Sequence, residues 1–334
     1  MQRVTGEARR PPRGEGRSAA TMTVVVLGTG GTIAGRAASA DDNVGYVAAQ
    51  QGIDELVGRL GPLPVALECE QVAQLDSKDM DFALWCRLAA RVSHHLGRPE
   101  VAGVVITHGT DTLEETAYFL HRTLAPAKPV VLTGAMRPAT SLQADGPQNL
   151  ADAITVARTP AARGVLVAIA GAVHRGAEVR KVHAYRLDAF SSGDGGPLGR
   201  VEEGCLRQLR DWPDEHALDV DVFGVEPAGW PRVAIVTACA GADAWMVEAL
   251  RSAGVRGIVV AGTGNGTLHH ALEASLMAAR AAGVAVLRST RCQEGRIVPG
   301  GRRHGDELAS AGALTPVQAR IELTLRLLGG QGAA

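Results

Sequence analysis

The chain of 334 residues is long enough for about two domains and for a sizeable hydrophobic core. Its 34 Lys and Arg residues balance 35 Asp and Glu residues, so a net charge of -1 gives no reason to expect nucleic acid or an anionic membrane as a partner. A hydrophobic content of 46% with 21% charged residues excludes an intrinsically disordered chain.

Residues 1–21 are polar and rich in Arg, Gly and Pro, which predicts a disordered N-terminal extension with Met22 as an alternative start. The uncharged stretch 18–35 has the length of a secretory signal, but its apolar centre is only residues 24–27. Cleavage near residues 38–40 would also remove the glycine-rich loop 28–35. We therefore expect no export signal, no membrane-spanning segment and a cytoplasmic protein.

The five cysteines are odd in number, widely spaced and never in a C-x-x-C pair. This pattern predicts neither a disulfide framework nor a zinc site. We expect reduced and mostly buried thiols at positions 69, 86, 205, 239 and 292.

Short apolar runs alternate with longer amphipathic segments along the first two thirds of the chain, which is typical of an α/β protein with a mostly parallel sheet. Strands are predicted at 23–27, 101–107, 129–133 and 164–170, and helices at 80–96, 111–124 and 147–158.

Residues 211–231 contain three prolines and little periodicity, which predicts a linker between two units. The larger unit would span 22–210 and the smaller one 232–334. In the smaller unit we predict strands at 232–238, 256–261 and 284–288, and helices at 243–253, 268–281 and 316–328.

The loop after the first strand reads GTGGTIAG, residues 28–35. It fails the dinucleotide fingerprint G-x-G-x-x-G because the sixth position is Ile33, and the chain has no Gly-Lys pair for a Walker A loop. One interpretation is a strand-exit turn capped by Thr29 or Thr32. The other is a hydroxyl nucleophile beside backbone N–H groups that can stabilise an oxyanion.

A second loop, in residues 107–120, leads from a strand into a helix. Asp111 and Thr112 each precede a Glu by three residues, which is the spacing of a capping box, and we expect His108 to be structural. Alternatively, Thr110 and Asp111 stand at the positive end of a helix, where an anion is favoured. Capping and catalysis both stay open at this point.

Lysine makes up only three of the 34 basic residues, at positions 78, 128 and 181. Lys181 is flanked by Arg180 and Arg186, and a buried lysine near other cations can act as a neutral base, which an arginine cannot. The alternative is a structural ion pair with an aspartate such as Asp111. In the polar loop 75–80, Ser77 or Asp79 caps a helix or binds a ligand.

Together, the segments TGGTIAG, DSKDM, ITHGTDTLEETAYFL, GAMRPATSLQADGPQNL and GTGNGT resemble the bacterial L-asparaginase and glutaminase-asparaginase family, with type II-like motifs but no signal peptide. The resemblance runs from about Thr23 to Leu328. It implies a two-domain α/β fold with a larger mixed or parallel N-terminal sheet and a smaller parallel C-terminal sheet flanked by helices. It also implies a homotetramer with active sites near subunit interfaces, which hydrolyses the side-chain amide of L-asparagine without a cofactor or metal.

By this resemblance Thr32 is the nucleophile and Tyr46 is the hydroxyl that assists it. Thr110, Asp111 and Lys181 form a second group, in which the lysine and the aspartate orient a threonine hydroxyl. The reaction would proceed through an acyl-enzyme that water releases as aspartate. Which threonine attacks first stays open.

The resemblance also implies a set of substrate contacts. Ser77 would hold the α-carboxylate of the substrate and Asp111 would reach its α-amino group, with Gly31, Lys78 and Thr110 beside them. Lys78 departs from the family pattern, in which Gln or Glu often stands at that position.

A further departure concerns the late loop of the chain. In family members an acidic residue of this loop reaches the amino group of the substrate bound at a neighbouring subunit. Glu294, Asp306 and Glu307 are candidates for that acid, and Asn265 lies in the GTGNGT motif near the interface position of the family.

The alternatives are a glutaminase-asparaginase of broader specificity and a regulatory module that binds asparagine without hydrolysing it. The amidase subunit of a tRNA-dependent amidotransferase is disfavoured, because only about 21 residues precede the first predicted strand. The broken glycine fingerprint excludes a nucleotide-binding oxidoreductase.

Overall fold

The structure is a computed structural model that describes residues 22–212, 216–298 and 308–332. The predicted extension at 1–21 lies outside these residues. The helices are α1 (Ile53–Gly58), α2 (Phe82–Leu96), α3 (Leu113–Leu124), α4 (Gly146–Ala157), α5 (Trp245–Ser252), α6 (His270–Ala281) and α7 (Pro316–Leu328). The strands are β1 (Thr23–Gly30), β2 (Ala66–Leu75), β3 (Val101–Thr107), β4 (Pro129–Thr133), β5 (Gly164–Ile169), β6 (Ala172–Arg175), β7 (Arg180–Lys181), β8 (Phe190–Ser191), β9 (Gly199–Glu202), β10 (Cys205–Gln208), β11 (Val233–Thr237), β12 (Gly257–Gly262), β13 (Ala285–Thr290) and β14 (Ala309–Ser310).

Two main sheets organise these elements. The larger has eight strands in the order β10-β9-β6-β5-β4-β3-β1-β2, with parallel pairing from β2 to β5 and antiparallel pairing at β6, β9 and β10. The smaller is parallel, in the order β11-β12-β13-β14. This arrangement confirms the predicted α/β class with a larger mixed sheet and a smaller parallel one. The exact domain boundaries stay a prediction.

Strand β1 shows why the large sheet is buried on both faces. Val25 and Leu27 point to the side covered by α2 and α3, while Val24 and Val26 point to the side covered by α1 and α4. All four side chains are fully buried. A two-residue period in an apolar run therefore places one strand in two cores at once.

Strands β2, β6, β9 and β10 of the large sheet lacked a sequence prediction. Strand β2 is an edge strand whose Glu68 and Glu70 form ion pairs with Arg98 and Arg91 at 2.8 and 2.6 Å. The β9–β10 hairpin forms the opposite edge. Edge strands carry polar, half-exposed residues, so neither segment has the continuous apolar run by which the buried strands were predicted.

The expectation of mostly buried thiols is wrong. All five cysteines are free, but Cys205, Cys239 and Cys292 are exposed and only Cys69 and Cys86 are partly covered. The cysteines lie on edge strands, in loops and on one helix rather than in the apolar strands that form the cores. Among the described residues, no helix has the length and apolar character needed to cross a bilayer.

Helix α7 joins the two sheets. Ala319 and Leu323 pack on the core of the smaller sheet, and Ile321 and Leu325 pack on the core shared by α2 and α3. The pairs are spaced four residues apart on opposite faces of the helix, so both faces are apolar.

On the second of these faces Glu322 is buried. Its carboxylate accepts hydrogen bonds from the Tyr118 hydroxyl at 2.9 Å, from Arg122 at 2.8 and 3.2 Å and from Arg326 at 2.9 Å. Burial raises the pKa of Glu322, but the hydrogen bonds and positive charges of its partners outweigh burial and lower it. The carboxylate is therefore ionised and links α3 of the larger unit to α7.

We expect Glu322→Ala to lower the free energy of unfolding by about 3 kcal/mol, because it leaves arginines at a buried site without their carboxylate. Urea unfolding at neutral pH measures the loss. The matched control is Glu202→Ala, which breaks the exposed pair with Arg207 and should leave stability close to that of the wild type. Equal effects of the two substitutions would contradict a special role of the buried carboxylate.

Candidate active site

The loops that follow three neighbouring strands meet at the carboxyl ends of these strands. Strand β1 lies between β2 and β3 and is parallel to both, so their carboxyl ends point the same way. Thr32 follows β1, Ser77 follows β2, and Thr110 with Asp111 follows β3. The topology therefore brings the sequence-predicted loops together.

Two glycines allow these loops to touch. Gly31 has a φ of +82°, and a Cβ there would lie 2.3 Å from the backbone of Gly109. A Cβ at Gly109 would lie 2.4 Å from Ser77 Oγ. No side chain therefore separates the three loops at this contact. Thr32 directly follows Gly31, and Thr110 directly follows Gly109.

The backbone groups of Gly31 are already used within the protein. Its N–H donates to the Leu75 carbonyl at 2.9 Å, and its carbonyl accepts from Ala34 N and Ala49 N at 3.2 and 3.0 Å. The contribution of Gly31 to the site is thus the close approach of Gly109 that its missing side chain permits.

Thr32 begins a 3₁₀ turn, Thr32–Ala34, and its Oγ1 lies 2.7 Å from the Tyr46 hydroxyl. The capping residue of that turn is Gly31, so neither Thr29 nor Thr32 caps it. Tyr46 lies on a loop closed by two 2.9 Å backbone hydrogen bonds between Arg36 and Val47. This loop positions the tyrosine over the start of the turn.

Lys181, on β7, reaches the second threonine. Its Nζ donates to Thr110 Oγ1 at 2.9 Å and to Asp111 Oδ1 at 2.6 Å. Thr110 is buried and the lysine side chain is only 16% exposed, whereas the Asp111 side chain is 59% exposed. One end of this group is thus shielded and the other faces the open side of the site.

Of the two interpretations left open for residues 107–120, the structure does not support the capping box of α3. The helix begins at Leu113, and its N-cap residue Thr112 makes no side-chain capping bond. The Thr112 hydroxyl instead donates to the Ser77 carbonyl at 2.7 Å, and Asp111 N donates to Ser77 Oγ at 3.3 Å. Contacts to the neighbouring loop have replaced the local cap, which spacing along the chain does not reveal.

Ser77 is buried at the start of a 3₁₀ turn, Ser77–Asp79, whose N-cap is Asp76. Helix α2 is capped by Asp81, so Ser77 and Asp79 do not cap it. Lys78 is 62% exposed, and its ammonium binds Asp76 at 2.7 Å and Asp79 at 3.3 Å. Two local carboxylates therefore compensate the charge of Lys78.

His108 is structural, as expected. Trp85 Nε1 donates to Thr116 Oγ1 at 2.8 Å, which leaves the Thr116 hydrogen for His108 Nε2 at 2.9 Å. The Nδ1–H of the imidazole then donates to the Gly109 carbonyl at 2.7 Å. Burial lowers the pKa of His108 to about 4, so a neutral ring holds the loop before Thr110.

Glu114 was missed as a residue of this region, because its spacing from Asp111 suggested a cap. Its Oε1 faces the backbone N–H of Lys181 at 3.5 Å, and its Oε2 has no hydrogen-bond partner. Burial raises the pKa of Glu114 to about 7, against the lowering effect of that N–H and of the nearby Arg180 and Lys181 charges. The Glu114 carboxyl group thus lies in the first turn of α3 and faces the backbone of Lys181.

Of the C-terminal candidates, Asn265 and Glu294 are among the described residues. Asn265 is held by the backbone of Val298, with Nδ2–O and N–Oδ1 distances of 2.9 and 2.8 Å. Glu294 is exposed, and Asp306 and Glu307 lie outside the described residues. Within the part of the chain that the structure describes, no group of three or more His, Cys, Asp or Glu residues could hold a metal ion.

Comparisons with known proteins cover nearly the whole chain. The family model described as asparaginase, N-terminal, matches residues 23–213, and that of the glutaminase/asparaginase C-terminal domain matches residues 232–333. L-asparaginase 2 of Escherichia coli is 37% identical over 93% of this chain and 90% of its own length, and L-asparaginase 2 of Bacillus subtilis is 35% identical over 90% and 81%.

The crystal structure of a probable cytoplasmic L-asparaginase from Campylobacter jejuni superposes with a TM-score of 0.87, at 35% identity and with 94% of this chain and 96% of that chain covered. Two family models that together span both units, and relatives of this similarity and coverage, agree with the resemblance seen in the motifs. The chain belongs to the asparaginase family.

Proposed function

We propose that this protein hydrolyses the side-chain amide of L-asparagine to L-aspartate and ammonia, with Thr32 as the nucleophile. The observation that carries the proposal is the pair of buried threonine hydroxyls in touching loops, one beside Tyr46 and the other beside Lys181. The names of the relatives, L-asparaginase 2 among them, support the same substrate.

In the first step Thr32 Oγ1 attacks the amide carbon and its proton leaves for a basic group. The Tyr46 hydroxyl, 2.7 Å away, accepts that proton while its own hydrogen passes on to the leaving nitrogen. The C–N bond then breaks, the leaving nitrogen takes up a proton, and ammonia departs from a threonine ester. Water attacks the ester carbon, and the ester C–O bond breaks to release aspartate and restore the Thr32 hydroxyl.

Lys181 and Asp111 orient the second hydroxyl. Because Lys181 Nζ donates to Thr110 Oγ1, the hydrogen of Thr110 is free to point toward a water or the substrate. The carboxylate of Asp111 at 2.6 Å compensates the ammonium charge. A lysine can also pass a proton to Asp111 and accept one from Thr110, whereas an arginine cannot.

Substrate recognition is assigned to the residues around these hydroxyls. Ser77 accepts from Asp111 N and keeps its own O–H hydrogen for the α-carboxylate of the substrate. The Asp111 carboxylate is exposed enough to reach the α-amino group, and Thr110 faces the amide. Gly31 brings the Thr32 loop against the Thr110 loop, and Lys78 stands beside Ser77 with its charge paired to Asp76 and Asp79.

Two further features of the protein are part of the proposal. A cytoplasmic location is supported by the relative from Campylobacter jejuni, although a relative from Haemophilus influenzae is named a probable periplasmic L-asparaginase. A homotetramer with active sites near subunit interfaces is supported only by the family resemblance.

A second candidate is an enzyme of broader specificity, because a relative from Pseudomonas fluorescens, 37% identical, is named glutaminase-asparaginase. A module that binds asparagine without hydrolysis is the third. The hydroxyl and lysine contacts favour hydrolysis over binding alone, since recognition of an amino acid needs no threonine beside a lysine.

We expect ammonia release from asparagine at neutral pH, and loss of about 10³-fold or more in kcat for Thr32→Ala. Ammonia is measured over a wide range of asparagine and glutamine concentrations, with thermal unfolding as the check that the variant is folded. Equal turnover of the two amides would support the broader enzyme. Stoichiometric binding of asparagine without ammonia release would contradict hydrolysis.

We expect Lys181→Arg to lower kcat by about 10²-fold, because the positive charge remains but proton acceptance is lost. Lys128→Arg is the matched control, since Lys128 donates only to the Leu96 and Arg98 carbonyls in the contacts that the structure gives it. The control should keep full activity. Full activity of the Lys181 variant as well would overturn the proton-acceptor role.

A further inference from the structure

The segment that carries Lys181 is held by the C-terminal part of the chain. Val179 O accepts a hydrogen bond from Gln318 Nε2 of α7 at 3.1 Å, and the Arg180 guanidinium donates to the Gln293 carbonyl. Both partners lie beyond residue 231. Residues 179–181 therefore receive contacts from two separate segments of the smaller unit.

We infer that Gln318 is a positioning residue for the reaction, because its hydrogen bond to the Val179 carbonyl places Lys181 against Thr110 and Asp111. This inference rests on the function proposed for Lys181. It adds a residue that does not touch the substrate and lies in the C-terminal unit.

Both polar atoms of the Gln318 side-chain amide form hydrogen bonds. The side chain is fully buried, and its Oε1 accepts from Thr315 N at 3.1 Å while its Nε2 donates to Val179 O. Thr315 Oγ1 in turn accepts from Gln318 N, which completes a capping box at the start of α7. The amide cannot flip, because a flip would set N–H against N–H and oxygen against oxygen.

The path from Val179 to the lysine is short and held along its length. Val179 N donates to Arg175 O at 3.0 Å, and Lys181 pairs with Phe190 in the antiparallel β7–β8 ribbon. Val179 itself is fully buried. A shift at Val179 thus moves the backbone of Lys181 two residues later.

Small shifts at this place matter for chemistry. Lys181 Nζ contacts Thr110 and Asp111 at 2.9 and 2.6 Å, and a displacement of about 1 Å takes the first contact beyond hydrogen-bond range. Misplacement on that scale can cost about 10²-fold in rate. Among the described contacts of Gln318, none is a hydrogen bond to the loops that carry Thr32 and Ser77, so substrate binding should change less.

The test compares two Gln318 variants with a cap variant. Gln318→Glu keeps an acceptor for Thr315 N but loses the donor to Val179 at neutral pH, and Gln318→Met removes both side-chain hydrogen bonds at similar length. Thr315→Val breaks the same capping box from its other side and leaves the Val179 contact intact. Ammonia release from asparagine and thermal unfolding are measured for all three.

We expect kcat to fall about 10-fold in both Gln318 variants, with KM for asparagine within about twofold of the wild type. Thr315→Val should lower Tm but keep kcat. A kcat near that of the wild type in the folded Gln318 variants, with Lys181→Arg still impaired, would overturn the positioning role alone. Full activity of Lys181→Arg, or no ammonia from the wild type, would overturn it together with the function proposed for Lys181.

Discussion

The site depends on the close approach of two backbones at Gly31 and Gly109. A side chain at Gly31 would lie 2.3 Å from Gly109, so the contact exists only because both positions lack a Cβ. It joins the exits of β1 and β3, and Ser77 completes it from β2. Three parallel strands thereby turn three separate polar loops into one surface, with a threonine hydroxyl immediately after each glycine.

Around this contact several buried polar groups have hydrogen-bond or ion-pair partners. Neutral His108 supports the Gly109 carbonyl from behind, and Asp111 compensates the charge of Lys181 from the open side. Helix α7 adds two buried polar contacts, Glu322 to Arg122 and Gln318 to Val179. Helix α7 packs on the cores of both sheets. Through the hydrogen bond from Gln318 to Val179 it also holds the segment that leads into β7, the strand of Lys181.

Much of the fold was accessible from sequence where burial leaves a strong pattern. The apolar runs of β1, β3, β4 and β5 were predicted because a parallel strand covered on both faces has to be hydrophobic throughout. Edge strand β2 and the β9–β10 hairpin were not predicted, because many of their side chains are polar, half-exposed and engaged in ion pairs or solvated. The capping box that the spacing of Thr112 suggested is absent for a related reason, since the Thr112 hydroxyl donates to Ser77, 35 residues away, rather than to its own helix.

The sequence by itself determined which reactive groups the chain owns and where they stand. It placed Thr32, Thr110 and Asp111 at strand exits, and it marked Lys181 by the scarcity of lysine. Only the tertiary structure decided which of them meet. Lys181 lies 70 residues from Asp111 along the chain, and Gln318 lies 139 residues from Val179. Hydrogen bonds over such separations depend on sheet order and helix packing, which local periodicity does not encode.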